Sequence, residues 1–286
     1  MKISVMITTR NRAASLSKTL EMLSGLDPAP LEILVTADGT TDGTVEEILR
    51  NHPGVLLHVN GNNKGSIESR HHMMRSARGD LVLALDDDSY PEQRDCLKVL
   101  TEIFNQRPDL AVATFPQRTD EYPETLTRKD FGPERSVRSF ASSGACLRVA
   151  AYKSLDGFQG RFFHMYEEPD YALQCVAAGM DIRFFPQITI RHHWVADSRS
   201  EMRNHHRHAR NEFWSTMMRC PMPYMPAMLI GRIYSQACYA WQRGVLWFLS
   251  EPKWWCMALA GISEALRQRK PVSWQAYRRW LSLPDE

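Results

Sequence analysis

The chain has 286 residues, of which 43% are hydrophobic and 24% are charged, and its formal net charge is +2 at pH 7. This length suits either one large domain or one domain with an appendage, and so small a net charge gives no indication of a nucleic-acid partner. The charge is uneven, because residues 199–286 hold thirteen Lys and Arg against six Asp and Glu. All eight tryptophans also lie from Trp194 onward.

The contrast predicts two regions, a domain at 1–198 and a basic, Trp-rich helical region at 199–286. The six cysteines form no CxxC pair, which favours reduced thiols and a cytoplasmic protein. The first residues contain no signal-peptide core, and no charge-free run reaches the roughly 18 apolar residues of a spanning helix. We therefore expect a cytoplasmic protein, either free or peripheral on the inner face of the membrane.

The first 115 residues alternate between predicted strands and helices joined by turns rich in Gly, Asn and Asp. The stretches KISVMITT, LEILVTA, GVLLHVN and DLVLAL are typical of buried strands, and segments with apolar residues at helical spacing follow them. A helix and the strand LAVATF continue the pattern. This alternation predicts a mostly parallel sheet with helices on both faces. In such sheets ligands bind at the carboxyl ends of the strands.

The second half is less regular. Residues 116–139 are polar and predict a long functional loop. GACLRVAAYKSL then predicts a strand running into a helix, and EEPDYALQCVAAG predicts a helix with acidic residues in its first turn. DIRFFPQITIRHHW supplies the last predicted strands, and everything beyond residue 199 is predicted to be helical.

Three consecutive aspartates, Asp86, Asp87 and Asp88, follow the buried strand DLVLAL. Adjacent carboxylates raise each other's pKa unless a cation or hydrogen bonds compensate. Carboxylates one residue apart offer oxygen ligands to Mg²⁺ or Mn²⁺, whose other positions take water and substrate phosphates. A solvated acidic turn is the alternative, but the buried strand before the cluster favours a site for a metal and a diphosphate.

Two further groups carry titratable side chains. Glu167 and Glu168 stand at the start of a predicted helix, where they serve either as caps or, at the rim of a pocket, as a general base. His192 and His193 close the last strand, where a histidine is either structural or a metal ligand. Spacing alone leaves these alternatives open.

Four stretches, in the right order, resemble the motifs of family-2 glycosyltransferases of the GT-A fold. MITTRNR is similar to the opening IPTYNR motif, and EILVTADGTTDGT is similar to VVDDGSTDGT. NNKGSIESRHHMMRSARGDLVLALDDDSYP resembles the block that ends in the DxD motif, and SSGACLRVAAYKSLDGFQGRFFHMYEEPDYALQCVAAG resembles the block with the ED pair. The resemblance covers about the first 195 residues. It implies an α/β fold with a Rossmann-like, mostly parallel sheet flanked by helices, followed by the C-terminal helical segment.

The resemblance also implies roles for individual residues. Those expected to bind the nucleotide sugar are Thr9, Asp38, Arg70, Asp86, Asp87 and Gly144. The metal would be held by Asp86, Asp88 and His192, while Glu168, supported by Glu167, would be the catalytic base. Ala37 replaces the first aspartate of the family's DDG turn, so the donor's base is not defined.

The activity implied is inverting transfer of a hexosyl or deoxyhexosyl group from a nucleotide diphosphate sugar to a glycan or lipid-linked hydroxyl, with Mg²⁺ or Mn²⁺ as cofactor. One rival is a sugar-phosphate nucleotidyltransferase, but the Gly-rich phosphate loop expected after its first strand is missing from TTRNRAAS. Another is a non-catalytic module that binds nucleotide sugar at a membrane, against which the paired glutamates argue. The resemblance further implies that the domain has two halves. Residues 1–115 would bind the nucleotide sugar, and residues 116–198 would provide the acceptor side and the catalytic base.

The C-terminal region mixes Trp, Met and Leu with Arg at near-helical spacing. Such helices either pack on the catalytic domain, with the option of a homodimer interface, or lie in the interface of an anionic membrane. The sequence favours the membrane only modestly.

Overall fold

The computed structural model describes residues 1–193 and 200–285. Its main sheet is built from β1 (Ile3–Thr9), β2 (Glu32–Asp38), β3 (Leu56–Asn60), β4 (Leu81–Asp86), β6 (Leu110–Thr114), β8 (Arg135–Ser136), β9 (Gly144–Arg148) and β10 (Asp181–Phe184). A smaller sheet contains β5 (Ser89–Pro91), β7 (Gln117–Thr119) and β11 (Ile190–His192). The strand orders are β3-β2-β1-β4-β9-β6-β10-β8 and β5-β11-β7.

The helices of the first 193 residues are α1 (Ala13–Ser24), α2 (Thr44–Asn51), α3 (Ser66–Ser76), α4 (Cys96–Gln106), α5 (Val149–Ser154) and α6 (Glu167–Ala177). Those that follow are α7 (Glu201–Arg219), α8 (Met225–Arg243), α9 (Val245–Ser250), α10 (Pro252–Ala260), α11 (Ile262–Arg267) and α12 (Trp274–Ser282). The predicted α/β domain with a C-terminal helical segment is thereby confirmed. The predicted boundary at residue 198 lies outside the described residues.

The central strands are buried on both faces because helices cover both. On one face, α1 and α4 enclose a core that includes Leu16, Leu20 and Leu100. On the other, α3 and α6 share a core with the C-terminal helices, which contribute Trp214 and Tyr277 among others. Apolar residues on both faces explain why β1 and β4 are continuous hydrophobic runs rather than alternating ones.

The four strands β3, β2, β1 and β4 pair in parallel, as predicted. Strand β9 departs from the pattern, since it lies antiparallel between β4 and β6. The polar segment 116–139, predicted as loop, contains β7, β8 and a short 3₁₀ helix. These strands are two or three residues long and depend on pairing with β10 and β11, so local sequence gives little sign of them.

Register in the parallel half places three predicted site residues at one edge. Thr8 lies opposite both Thr36 and Asp86 in the neighbouring strands. The carboxyl ends of β1, β2 and β4, marked by Thr9, Asp38 and Asp86, therefore meet on the same side of the sheet, where α/β sheets bind ligands.

Among the described residues, no helix is long and apolar enough to cross a membrane.

Candidate active site

The aspartate cluster meets a histidine from a distant strand. Asp86 ends β4, and β11 pairs antiparallel with β5 so that His192 lies opposite Ser89. Ligand atoms of Asp86, Asp88 and His192 all lie within 4.8 Å of one another. The distance from His192 Nε2 to Asp88 Oδ1 is 3.2 Å and to Asp86 Oδ2 is 4.0 Å. Two carboxylates and an imidazole at this spacing fit a divalent cation such as Mn²⁺ or Mg²⁺.

His193 faces another way. Its Nε2 lies 2.9 Å from the hydroxyl oxygen of Tyr90, and its Nδ1 lies 3.6 Å from a carboxylate oxygen of Asp120. The structure thus places His192, rather than His193, beside the two aspartates.

An arginine explains how three carboxylates share one turn. Arg12 donates from Nη1 to Asp87 and from Nη2 to Asp88, both at 2.6 Å. Asp87 also accepts from the hydroxyl of Thr9 at 2.8 Å. Burial raises the pKa of Asp87 to about 7 despite Arg12, whereas His192 and Arg12 outweigh burial and hold the pKa of Asp88 below its usual value. Sequence analysis missed Arg12, although it is the second arginine of the TTRNR motif.

Arg70 connects the aspartate cluster to the glutamate pair. This side chain of α3 is 6% exposed and donates to Asp86 Oδ1 at 2.5 Å and to Glu167 Oε1 at 3.0 Å. A buried guanidinium between two carboxylates is well placed electrostatically, since each partner offsets the desolvation of the other. The two acidic motifs therefore belong to a single site.

The two glutamates differ in exposure. Glu167 is 2% exposed, and burial together with the charge of Glu168 raises its pKa to about 8 even though Arg70 opposes the change. Glu168 is half-buried, and its Oε1 accepts from the backbone N–H of Ser142 at 3.3 Å. Glu168 is thus the more accessible of the two to a substrate.

The turn that precedes these glutamates is strained and is held from the C-terminal region. Phe163, Met165 and Tyr166 have φ values of 67°, 75° and 75°, which non-glycine residues seldom adopt. The side chain of Asn211 in α7 is fully buried, and its Nδ2 lies within 3.1 Å of the carbonyl oxygens of residues 162, 164 and 165. Asn211 was missed because one asparagine in a polar helix carries no sequence signal.

A cavity of about 330 Å³ opens at this edge of the sheet. Five of the residues predicted to bind the nucleotide sugar line it: Thr9, Asp38, Arg70, Asp86 and Asp87. Arg12, Arg203 and Arg207 also line it, the last two from α7. Asp38 shapes its wall, since its carboxylate accepts from the backbone N–H groups of Lys64 at 2.9 Å and Gly65 at 2.8 Å.

Gly144, the sixth residue predicted to bind the donor, is not among the described residues that line this cavity. It begins β9, and a Cβ atom there would lie 2.7 Å from a side-chain carbon of Ile190. Its small size permits close approach of β9 and β11, the strand that carries His192.

The fold and site together define a glycosyltransferase domain of the GT-A class. The mannosyltransferase PcManGT from Pyrobaculum calidifontis, solved with GDP-Man and Mn²⁺, superposes with a TM-score of 0.60 at 18% identity, over 98% of this chain and 79% of that one. TarS from S. aureus with UDP-GlcNAc gives a TM-score of 0.63 at 16% identity, over 93% and 82%. At these identities the likeness shows the fold alone.

The chain belongs to glycosyltransferase family 2, because the profile of that family, described as "Glycosyl transferase family 2", matches residues 4–167. Over 139 residues it is 32% identical to the glucosyl-dolichyl phosphate glucuronosyltransferase of Haloferax volcanii. That alignment covers 47% of this chain and 43% of the relative, and a similar alignment covers 42% of an uncharacterised glycosyltransferase of Haemophilus influenzae. The chain thus spans less than half the length of these two relatives.

Proposed function

We propose that the protein transfers a sugar from a nucleotide diphosphate sugar to a hydroxyl of a glycan or lipid-linked acceptor, with inversion and with a divalent metal. The observation that carries the proposal is the cluster of Asp86, Asp88 and His192, of which Asp86 lines the donor cavity and is joined through Arg70 to Glu167. The catalytic domain would comprise residues 1–198, with donor binding in 1–115 and the base and acceptor side in 116–198.

Asp86, Asp88 and His192 would hold the metal, since their ligand atoms already converge. When bound, a Mg²⁺ or Mn²⁺ ion supplies positive charge against the departing diphosphate. Arg70 adds a permanent positive charge in the cavity wall, and Glu167 fixes its guanidinium through the 3.0 Å hydrogen bond.

Glu168 acts as the general base. Its carboxylate takes the proton of the acceptor hydroxyl while the oxygen forms a bond to the anomeric carbon. The bond from that carbon to the diphosphate oxygen breaks, and its electron pair leaves with the nucleoside diphosphate. Attack from the face opposite the leaving group inverts the anomeric centre. Half-burial of Glu168, against full burial of Glu167, supports this assignment.

The proposed function does not specify the base or the sugar of the donor. The two similar structures hold GDP-Man and UDP-GlcNAc, so the shared fold accepts different bases and sugars. Ala37 in this chain removes the carboxylate that the family's DDG turn offers.

A thermal-shift screen of nucleotide sugars with Mn²⁺ tests the proposal, because a ligand of the folded state raises its stability. Pyrophosphate release from a nucleoside triphosphate would instead indicate nucleotidyl transfer, and donor binding without turnover would indicate a non-catalytic module.

We also propose that the protein lies on the cytoplasmic face of an anionic membrane. Five exposed hydrophobic side chains gather where α8 meets α9; this apolar corner comprises Trp241, Val245, Leu246, Phe248 and Leu249. Leu246 is 78% exposed and Leu249 is 68% exposed. Between residues 213 and 263 the sequence has a single acidic residue, Glu251, and this one is buried. Apolar side chains in a stretch of sequence with basic but no exposed acidic residues suit anionic lipid, although Arg243 pairs with the exposed Glu201 of α7 at 3.3 Å. A homodimer interface is the competing explanation.

A further inference from the structure

A second cavity, of about 500 Å³, lies between α7, α8 and the segment that follows β7. Its wall includes Tyr122 of that segment, Asn204 and His208 of α7, and Tyr239 and Arg243 of α8. A volume of this size is ordinary for a site that takes a small molecule. The proposed binding of donor and metal assigns no role to this cavity.

The cavity adjoins the catalytic turn. Asn204 lines both this cavity and the donor cavity. Met165, which lines only the second, belongs to the strained turn that leads into Glu167 and Glu168, while its neighbour His164 lines the first. The two cavities therefore lie on either side of the segment that carries the base.

Glu168 is also electrostatically linked to the second cavity. His208 in the cavity wall packs edge-on against the ring of Tyr166, with 5.1 Å between ring centroids. Burial lowers the pKa of His208, and the negative charges of Glu212 and Glu168 oppose this effect. The charge of Glu168 therefore acts on a residue in the wall of this cavity.

The side chains of the wall suit a sugar. Tyr122 offers an exposed aromatic ring, Tyr239 adds a second ring that stacks on His205, and Asn204, Ser235 and Arg243 offer hydrogen-bonding groups. An apolar ring face beside polar groups matches the two kinds of surface that a sugar ring presents, namely C–H bonds and hydroxyls.

One wall of the cavity adjoins the apolar corner. The guanidinium of Arg243 lies 5.2 Å from the ring centroid of Tyr239 and 5.7 Å from that of Trp247. Trp247 lies within α9, among residues of the apolar corner, and Trp241 packs edge-on against Phe248 at 5.3 Å. A molecule with a sugar headgroup in the cavity would therefore have its aglycone beside exposed apolar side chains.

We infer that this cavity is the acceptor site and that it takes the sugar headgroup of a lipid-linked acceptor, an assignment that rests on the proposed glycosyl transfer. The apolar corner would hold the first part of the lipid at the membrane surface. The site lies between catalytic domain and C-terminal helices, so the helical region supplies acceptor recognition as well as packing.

The probes are octyl and methyl glycosides of the same sugars, used below the micelle concentration, with the nucleotide sugar that gives the largest thermal shift and with Mn²⁺. We expect the wild type to glycosylate at least one octyl glycoside, with a KM at least about tenfold below that of its methyl counterpart. Tyr239→Ala removes one aromatic wall and Ser235→Trp fills the cavity. Each should raise the KM for the octyl glycoside at least about tenfold while leaving the donor Kd within about twofold.

Two positions on the same helix provide matched controls. Tyr234 is 72% exposed and Gln242 is also exposed, and neither is among the described residues lining the cavity. Tyr234→Ala and Gln242→Trp should therefore transfer to the octyl glycoside as the wild type does.

Unchanged transfer by Tyr239→Ala and Ser235→Trp would overturn the acceptor assignment. A wild type that hydrolyses the donor but uses no octyl glycoside, or prefers the methyl form, would overturn the lipid-linked class. Failure of the wild type to bind any nucleotide sugar with Mn²⁺ would instead contradict the proposed function, so the two failures are distinguishable.

Discussion

Replacing Asn211 by alanine removes a buried side chain that holds the strained turn before the catalytic glutamates. Its two amide hydrogens serve carbonyl oxygens of residues 162, 164 and 165, and Arg210 also donates to that of 162 at 2.8 Å. The carbonyl groups of residues 164 and 165 would therefore lose the hydrogen bond from Asn211. A buried carbonyl left unpaired costs about 1–3 kcal/mol, but residues 164 and 165 are only half-buried, so water can reach them. We expect a loss of about 2–3 kcal/mol in the free energy of unfolding.

The turn has a second way to respond, since each non-glycine residue at positive φ stores about 1–3 kcal/mol. Relaxation of Phe163, Met165 or Tyr166 would recover part of the loss but would displace Glu167 and Glu168. Displacement of about 1 Å in a catalytic group can cost about 10²-fold in rate. We therefore expect at least about a tenfold fall in transfer. The donor Kd should change less, because Phe163 and His164 are a small part of the described lining of the donor cavity.

Urea unfolding and steady-state transfer measure the two effects. The control is Asn51→Ala, because Asn51 is exposed at the end of α2 and its amide donates to Glu47 at 2.7 Å; it should change stability by less than about 0.5 kcal/mol. If Asn211→Ala were as stable as this control and transferred at the wild-type rate, the role given to Asn211 would be refuted.

Three further predictions concern the base, the buried glutamate and the membrane. Glu168→Gln removes the proton acceptor and should lower the transfer rate at least about 10²-fold with little change in donor Kd. Glu167→Gln should lower the rate less, and a larger loss in Glu167→Gln than in Glu168→Gln would make Glu167 the base. Because the pKa of Glu167 rises from 4.5 to about 8 on folding, the folded state binds more protons between these values, so the free energy of unfolding should fall as pH rises from about 5 to 8. Denaturant titrations should show a weaker fall in Glu167→Gln, and equal slopes would contradict the raised pKa. The wild type should co-sediment with anionic liposomes and be released at high salt, because the electrostatic attraction is already screened over a Debye length of about 8 Å at physiological ionic strength. The double variant Leu246→Glu/Leu249→Glu should not bind the liposomes. A wild type that ignores liposomes but forms a dimer, which the double variant dissociates, would favour the homodimer interface.

The sequence predicted those parts of the site that depend on where strands end. Apolar runs locate β1, β2 and β4 without knowledge of the rest of the chain, and parallel pairing brings their carboxyl ends together. The aspartate cluster could therefore be placed at the carboxyl edge of the sheet from the strand pattern, whereas Thr9 and Asp38 followed from the resemblance. Arg70 also followed from the resemblance. The structure adds that Arg70 joins Asp86 to Glu167, and Glu167 lies 97 residues after Arg70 in the chain.

The remaining features depend on contacts between distant segments, which local patterns do not record. Arg12 lies 75 residues from Asp87, and its pairing with the aspartates follows from the packing of the turn after β1 against the turn after β4. Strand β9 has the composition of any short buried strand, so its antiparallel insertion could not be read from its residues. The second cavity forms only when α7 and α8 are docked, and therefore had no counterpart in the sequence.

The central claim is that Asp86, Asp88 and His192 form a metal-dependent donor site, and calorimetry of nucleotide binding tests it most directly. UDP and GDP are titrated into the wild type and into Asp88→Asn, each with Mn²⁺ and with a chelator, after circular dichroism has shown that the variant is folded. We predict that the wild type binds at least one nucleotide tightly with Mn²⁺ and at least about 10²-fold more weakly in chelator, and that Asp88→Asn loses this dependence on metal. Equal nucleotide affinity with and without Mn²⁺ in the wild type, or full Mn²⁺-dependent affinity in Asp88→Asn, would contradict the account.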